Sequence, residues 1–120
     1  MLVVRTHISR SSINGFGVFA LEPIAAGSLV WQFIPGIDLE LSGEQIARLP
    51  VPAQEYLRHF ANATSPDVYL LCADNARFMN HSDRPNISSA DQCNHALREI
   101  ALGEEIVCNY SEFDIGFVGF

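Results

Sequence analysis

Short apolar runs separated by turn residues fill the N-terminal part of the chain and limit its fold more than any other feature. The runs cover residues 2–4, 18–21, 24–27 and 29–34, and a turn rich in Ser, Asn and Gly lies at residues 11–15. Each run is too short for a helix, so the pattern predicts β-hairpins. The 120 residues, 48% of them hydrophobic, fit one compact domain over residues 1–120 with its own core.

A helical insert is predicted over residues 42–62. Ser42 followed by Gln45 is a capping-box signal, and Pro52 suits the first turn of a second helix. One face of that second helix would carry Ala53, Tyr56, Leu57, Phe60 and Ala61. We therefore expect two short helices, separated near Pro50, in a chain that is otherwise mostly β, which is an α+β fold.

Strands are expected to resume after the insert. Residues 68–73 form an apolar run typical of a buried strand, whereas the polar residues 80–86 indicate a loop. A late hairpin is predicted from residues 96–100 and 106–110, with Gly103 in the turn between them.

The late turn resembles an earlier one. The segment IAAG at residues 24–27 is followed by Leu-Val, and the segment IALG at residues 100–103 is followed by Ile-Val. Chance similarity between two hairpins is the simpler explanation.

Charge and cysteine usage narrow the choice of partner and compartment. The formal net charge is -7, which argues against a nucleic-acid backbone as ligand and suits a basic protein or peptide, although plain solubility explains it as well. The three cysteines, Cys72, Cys93 and Cys108, have neither disulfide-framework nor zinc-ribbon spacing. Without a secretory leader or an apolar run of membrane length, we expect a soluble cytoplasmic protein, with a nuclear or chromatin-associated location as the alternative.

The segment GFGVFA at residues 15–20 matches the G-x-G-x-x-G/A pattern of dinucleotide-binding folds. That fold needs a helix directly after the pattern, but Pro23 and Gly27 interrupt any helix there. A hairpin in which the glycines allow close backbone approach to a ligand fits better, and a plain tight turn fits equally well.

The segment RFMNHSDRPN at residues 77–86 places hydrogen-bonding side chains directly after an apolar strand, where a simple connection would not need them. Asn80 and His81 could bind a heterocycle edge, and Arg77 could hold a carboxylate or a structural carbonyl group. Taken alone, His81 is more often a structural histidine. Taken alone, Tyr110 is more often a strand aromatic that packs on the core.

Three segments in this order, GFGVFA, DNARFMNHSDRPN and EIALGEEIVCNY, resemble the SET domain family of protein-lysine methyltransferases. The resemblance covers nearly the whole chain, and the central segment is similar to the family's RFxNHSxxPN motif. It implies a SET-type fold of small curved β-sheets with a knot-like C-terminal threading. It also implies transfer of a methyl group from S-adenosylmethionine to a lysine of a basic, for example histone-like, protein.

The resemblance also implies a site. The catalytic residue would be Tyr110, at the point where the cofactor meets the lysine. The cofactor would be held by Gly15, Phe16, Gly17, Arg77, Phe78, Asn80, His81, Tyr110 and Phe113. The lysine channel would be lined by Cys108, Phe117 and Phe120, unless these phenylalanines simply cover the core, and the small Cys108 suggests room for higher methylation. No metal is required.

Several positions depart from the family's pattern. Phe33 and Pro35 stand where a Tyr-x-Gly is common, Asp83 replaces a common cysteine, and no cysteine-rich segment follows Tyr110 to form a zinc-bound lid. A non-catalytic SET-like binding module that keeps the cofactor pocket is therefore the alternative function. A metal site of His81, Cys93 and His95 is a weaker option, and the aromatic tail makes a homodimer conceivable.

Overall fold

The structure, a computed structural model, describes residues 1–89 and 92–117. These residues form three small sheets, two short α-helices and two 3₁₀ turns. The strands are β1 (Thr6–Arg10), β2 (Phe16–Ala20), β3 (Leu29–Gln32), β4 (Leu39–Leu41), β5 (Asn62–Ser65), β6 (Val68–Leu71), β7 (Asn80–His81), β8 (Cys93–His95) and β9 (Glu105–Cys108). The helices are α1 (Gly43–Ala47) and α2 (Val51–Phe60), and the 3₁₀ turns are Asn75–Phe78 and Tyr110–Glu112.

The first sheet has the strand order β1-β2-β9-β7 and brings the ends of the chain together. A hairpin of β1 and β2 forms, but its first strand is Thr6–Arg10 and not the predicted run at residues 2–4, which contacts β3 instead. On one side β9 pairs antiparallel with β2. On its other side β9 pairs parallel with β7, so that Asn80 lies opposite Val107 and His81 opposite Cys108. The predicted loop at residues 80–86 is therefore wrong at its first two positions, because β9 offers them backbone partners that the local sequence does not reveal.

The predicted late hairpin does not form. Ile100 exchanges both backbone hydrogen bonds with Ile24, each 2.9 Å long, instead of pairing with β9. Residues 97–99 between the buried Ala96 and Ile100 are exposed. The turn at Gly103 is present, but the segment before it pairs with Ile24, whereas β9 after it pairs with β2 and β7.

The two similar turns face each other across this Ile24–Ile100 pair. Gly27 N donates to Ala96 O at 2.7 Å, and Gly103 N donates to Ala20 O at 2.8 Å, which is the same contact with the segments exchanged. Both glycines have φ angles, +82° and +85°, that disfavour other residues. Each residue of the first segment is thus matched by the one 76 positions later, and a local two-fold relation, rather than chance similarity between hairpins, connects the turns.

The two helices lie where the sequence predicts them. The capping box of α1 is complete, since Ser42 Oγ accepts from Gln45 N and Gln45 Oε1 accepts from Ser42 N. In α2 the buried Leu57 marks the inner face, and Pro52 occupies the first turn. The insert ends in the β4-β6-β5 sheet and forms one wall of a cleft described below.

The larger core cluster joins the two halves of the local two-fold. Its buried members are Val18, Ala20, Ile24, Val30, Met79, Ile87, Ala96, Ile100, Ile106 and Cys108. Three pairs in this set, residues 20 and 96, 24 and 100, and 30 and 106, are again 76 positions apart. A smaller cluster of Trp31, Leu70, Cys72 and Ala76 lies under the insert.

The cysteines and the helices add two further observations. Cys72, Cys93 and Cys108 are free, and the first and last of these are buried. In the described part of the chain, no helix is long and apolar enough to cross a membrane.

The carboxylate of Asp38 ties three segments together from a fully buried position. It accepts hydrogen bonds from Ile34 N at 3.0 Å and Ala73 N at 3.0 Å, and it pairs with the Met1 ammonium at 2.8 Å. Burial alone would raise the pKa of Asp38, but these hydrogen bonds and the ammonium charge lower it instead. The ionised carboxylate therefore stabilises the fold.

We expect Asp38→Asn to lower the free energy of unfolding by about 3 kcal/mol at neutral pH, because an amide leaves the buried donors and the ammonium incompletely paired. Since the folded-state pKa lies below the unfolded value of about 3.9, the difference from the parent should persist above that pH and shrink as the pH falls below it. Urea denaturation across this range measures it. The exposed Glu55→Gln serves as control, and a pH-independent difference would contradict the assignment.

Candidate active site

The buried side chain of Asn80 connects three segments of the chain. Its Nδ2 lies 3.1 Å from Asn14 O, 3.0 Å from Phe16 O and 2.9 Å from Glu105 Oε1. Two of these acceptors are backbone carbonyl groups at the turn that leads into β2, since Asn14 directly precedes the GFG segment and Phe16 is its middle residue. Asn80 therefore fixes the turn against β7 and β9.

Glu105 holds the carboxamide in this orientation. Its Oε2 accepts from Ser11 Oγ at 3.0 Å, and its Oε1 accepts from Asn80. A methyl group on Gly17 would lie 2.8 Å from the Glu105 carboxyl carbon, closer than such atoms can approach. The second glycine of the GFG segment is thus needed for the approach of a carboxylate from its own chain, which the sequence could not indicate.

One atom of the Asn80 side chain remains available. Among residues 1–89 and 92–117, no group donates to its Oδ1. The enclosed, unpartnered side-chain polar atoms in those residues are Trp31 Nε1 and Ser89 Oγ, so Oδ1 is not sealed from solvent. The carboxamide therefore presents a fixed hydrogen-bond acceptor toward a ligand.

His81 links β7 to the start of the C-terminal segment. Tyr110 N donates to its Nδ1 at 3.1 Å, which places the proton of the neutral ring on Nε2, 3.1 Å from Asp83 Oδ1. Its ring packs against Phe117, with centroids 4.7 Å apart. The Asp83 that departs from the family's pattern is thus a partner of the histidine.

Tyr110 stands between the His81 side and a cleft. Its ring centroid lies 5.4 Å from that of His81 and 5.8 Å from that of Phe113, and its hydroxyl donates to Met79 O. Burial, with smaller contributions from Cys108 and Asp114, raises the pKa of Tyr110 well above its ordinary value. The phenol is therefore neutral, and since its proton is committed to a carbonyl group, the oxygen can only accept from a ligand.

The cleft beside Tyr110 has a volume of about 620 Å³. One wall comes from the insert and the other from the core strands. Its lining includes Trp31, Glu40, His59, Phe60, Leu70, Cys72, Arg77, Met79, Ser89, Gln92, Asn94, Cys108, Tyr110, Glu112 and Phe113. The lining is apolar in part and carries three charged side chains, Glu40, Glu112 and Arg77.

The residues predicted for the lysine channel do not all lie at the cleft. Cys108 lines the cleft, and burial, aided by Cys72 and Glu112, raises the pKa of its thiol to about 12. Phe113, predicted for the cofactor, lines the cleft with it, whereas Phe117, predicted for the channel, packs on His81. Phe120 lies outside the described residues.

Arg77 lines the cleft and makes hydrogen bonds within the fold. Its Nε and one terminal nitrogen donate to Cys72 O at 3.1 and 2.7 Å, and the other donates to the Tyr56 hydroxyl. Of the two possibilities that the sequence left open, the structural carbonyl partner is the one observed. Phe78 packs edge-on against Phe16, at 6.4 Å between centroids, and both rings border the GFG turn.

Asn86 ends the RFMNHSDRPN segment and holds the backbone of β9. It is 1% exposed, its Oδ1 accepts from Val107 N at 2.9 Å, and its Nδ2 donates to Glu105 O at 2.8 Å. The Asn86 side chain therefore supplies hydrogen bonds to the backbone of β9 that a neighbouring strand would otherwise make. An asparagine after proline at the end of a polar segment is a usable signal for such a backbone clamp.

The alternative metal site is not assembled. Within the described ranges, no three His, Cys, Asp or Glu side chains converge on a point that could hold an ion. Cys93 and His95 lie on β8, while His81 lies on β7 in another sheet.

Comparison with known proteins agrees with this geometry. A family model described as "SET domain" matches residues 15–111. A Plasmodium falciparum crystal structure, described provisionally as a histone methyltransferase, superposes with a TM-score of 0.64 at 22% identity, over 89% of this chain and 93% of that chain. A humanized mutant of the Chaetomium thermophilum Polycomb Repressive Complex 2, bound to the inhibitor GSK126, superposes with a TM-score of 0.69 at 21% identity, over 92% of this chain and 15% of that chain.

The sequence matches no curated protein. At such identities the structural likeness establishes the fold, and the predicted class of small β-sheets with short helices is confirmed. The knot-like threading and the ligand roles of the site residues stay predictions.

We expect Gly17→Ala to lower the free energy of unfolding by about 1–3 kcal/mol, because the new methyl group displaces the Glu105 carboxylate. In a Glu105→Ala background the same change should cost less, so a double-mutant cycle followed by thermal denaturation tests the contact. Gly116→Ala, whose methyl group would lie 3.4 Å from Asp114 Oδ1, is the control. Equal costs in both backgrounds would show that Glu105 does not require this glycine.

Proposed function

Because the chain belongs to the SET domain family, we propose that it transfers a methyl group from S-adenosylmethionine to a lysine side chain of a basic protein. The observation that carries the proposal is the position of Tyr110, which contacts His81 on one side and lines the cleft on the other. A residue so placed can meet two ligands that arrive from different directions.

The proposed cofactor side consists of the GFG turn, Asn80 and His81. A cofactor with an ammonium group requires an acceptor, and Asn80 Oδ1 is an acceptor without a donor from the described chain. The exposed Phe16 ring, the Phe78 ring and the Phe117 ring offer apolar surface beside it for a heterocycle. The residues present therefore fit S-adenosylmethionine.

When bound, S-adenosylmethionine supplies a methyl group on a positively charged sulfur. A neutral amine can bond to the methyl carbon, and the sulfur is then the leaving group. The chain's own contribution is alignment and exclusion of water. The Tyr110 hydroxyl donates its proton to Met79 O, so the lone pairs of its oxygen are left to orient the lysine nitrogen or a polarised methyl group.

The lysine must lose its proton before it reacts, since a free lysine has a pKa of about 10.4. Tyr110 is a neutral phenol and Cys108 a neutral thiol, so neither serves as a general base. Desolvation between Cys108, Phe113 and Tyr110 would favour the neutral amine. The glutamates at the mouth of the cleft would attract the charged form beforehand.

Incubation with radiolabelled S-adenosylmethionine and a panel of basic proteins, including core histones, tests the transfer. We expect Tyr110→Phe to lower the rate about 100-fold, a typical cost of losing one group at a reacting centre. The dissociation constant of the cofactor, measured by calorimetry, should change little because Asn80 and the GFG turn are intact. Tyr69→Phe, on β6 and outside this cleft, is the matched control.

The outcomes separate the two functions that the sequence allows. Full activity of Tyr110→Phe would remove the role proposed for that residue. Cofactor binding without transfer to any protein would favour the alternative, a SET-like binding module. One observation favours the binding module. Phe33 stands where the family commonly has a tyrosine, and it packs against the smaller core cluster.

The pH profile provides a further test. Because burial keeps Tyr110 protonated far into the alkaline range, we expect kcat/KM to rise with pH up to about 10 as the free lysine loses its proton. Initial rates at a low concentration of one substrate measure it, with circular dichroism to confirm that the protein stays folded. A rate that declines above about pH 9 in folded protein would contradict a neutral phenol.

A further inference from the structure

The floor of the cleft contains two polar groups that the fold leaves without partners. Trp31 Nε1 and Ser89 Oγ are enclosed and lack a hydrogen bond within the described residues, although Trp31 is 5% exposed and Ser89 6% exposed. Buried polar groups are normally paired, because an unpaired one costs about 1–3 kcal/mol. Both residues line the cleft, but only the Ser89 hydroxyl can accept a hydrogen bond from a cationic ligand there, because the indole nitrogen of Trp31 only donates.

Strand pairing explains why they lie together. Trp31 on β3 is opposite Asn94 on β8, and Ser88 N donates to His95 O on the far side of β8. This register puts Ser89 next to Asn94, so that Trp31, Asn94 and Ser89 form a row across the floor.

A carboxylate borders the Ser89 end of that row. Glu112 Oε2 accepts from Ser89 N at 3.1 Å, and Glu112 also lines the cleft. It follows Tyr110 by two residues in the same 3₁₀ turn, so its α-carbon is at most about 7 Å from that of Tyr110. Its other oxygen, Oε1, takes no hydrogen bond from the described chain.

We propose that Glu112 and the Ser89 hydroxyl bind the charged side chain of an arginine or lysine that flanks the target lysine in the substrate. The carboxylate supplies charge and one free acceptor, and the hydroxyl supplies a second acceptor. This inference rests on the proposed function for the position of the target lysine at Tyr110. It adds a selection rule: a single lysine among neutral residues is a poor substrate.

The distances along the substrate restrict where the flanking residue can lie. An extended peptide advances about 3.3 Å per residue, so a site next to Tyr110 selects within about three residues of the target. Since Glu112 is exposed at its outer edge, the pairing should be modest and should weaken with salt.

Two fluorescent peptides test the proposal, each with one lysine, flanked either by alanines or by arginines. We expect the parent protein to prefer the arginine peptide at least about fivefold in kcat/KM, and Glu112→Gln to abolish most of that preference. The glutamine keeps an oxygen for Ser89 N, so only the charge is removed. The matched control is Glu55→Gln, an exposed carboxylate on α2 outside the cleft.

Ser89→Ala supplies a second, independent readout. Removing an unpaired buried hydroxyl should leave the melting temperature unchanged or raise it, and yet reduce the arginine preference. A purely structural serine would give the opposite result, with lower stability and an unchanged preference.

Fluorescence polarisation with the same peptides, their lysine replaced by norleucine, measures binding without catalysis. Equal transfer to both peptides by the parent protein would overturn this inference and leave the proposed function intact. Glu112-dependent binding of the arginine peptide without any transfer would support the inference and count against the enzyme. Equal binding of both peptides without transfer would overturn both.

Discussion

The hydrogen bonds of the Asn80 carboxamide are the contacts on which the arrangement of the site depends. Two carbonyl groups of the GFG turn and the carboxylate of Glu105 converge on one buried nitrogen. The partners come from two distant parts of the chain, residues 14–16 and β9, so these segments and β7 take up one relative position or lose several bonds together. The missing side chain of Gly17 leaves the space that the Glu105 carboxylate occupies.

The side chains at the proposed transfer point are neutral, while carboxylates line the cleft around them. The side chains nearest the proposed transfer point, Tyr110 and Cys108, are held neutral by burial. Carboxylates occur at the borders of the cleft, at Glu40 and Glu112. Such a division suits a substrate that should approach as a cation and react as a neutral amine, because a carboxylate at the reacting nitrogen would hold its proton in place.

Local signals in the sequence predicted local structure well. The capping box at Ser42 and the glycine turn at Gly103 were read correctly because their geometry is set within a few residues. The late hairpin was wrong because the partner of Ile100 is Ile24, and no local rule selects a partner so distant in sequence. Family resemblance identified Asn80, His81 and Tyr110, whereas Glu105, Ser89 and Trp31 emerged only from burial and distance. Nothing in the sequence around these three residues forms a motif that would indicate a role.

The pairing of Ile24 with Ile100 has a consequence for biosynthesis. The strands that flank the site are β7 and β9. They can pair only after the segment around Ile100 has packed against the segment around Ile24. When the nascent chain has emerged only as far as the helical insert, the cluster residues 18–30 are exposed, because the cluster residues 79–108 are not yet available to cover them. This domain should therefore remain unfolded, and dependent on protection from aggregation, until β9 has left the exit tunnel.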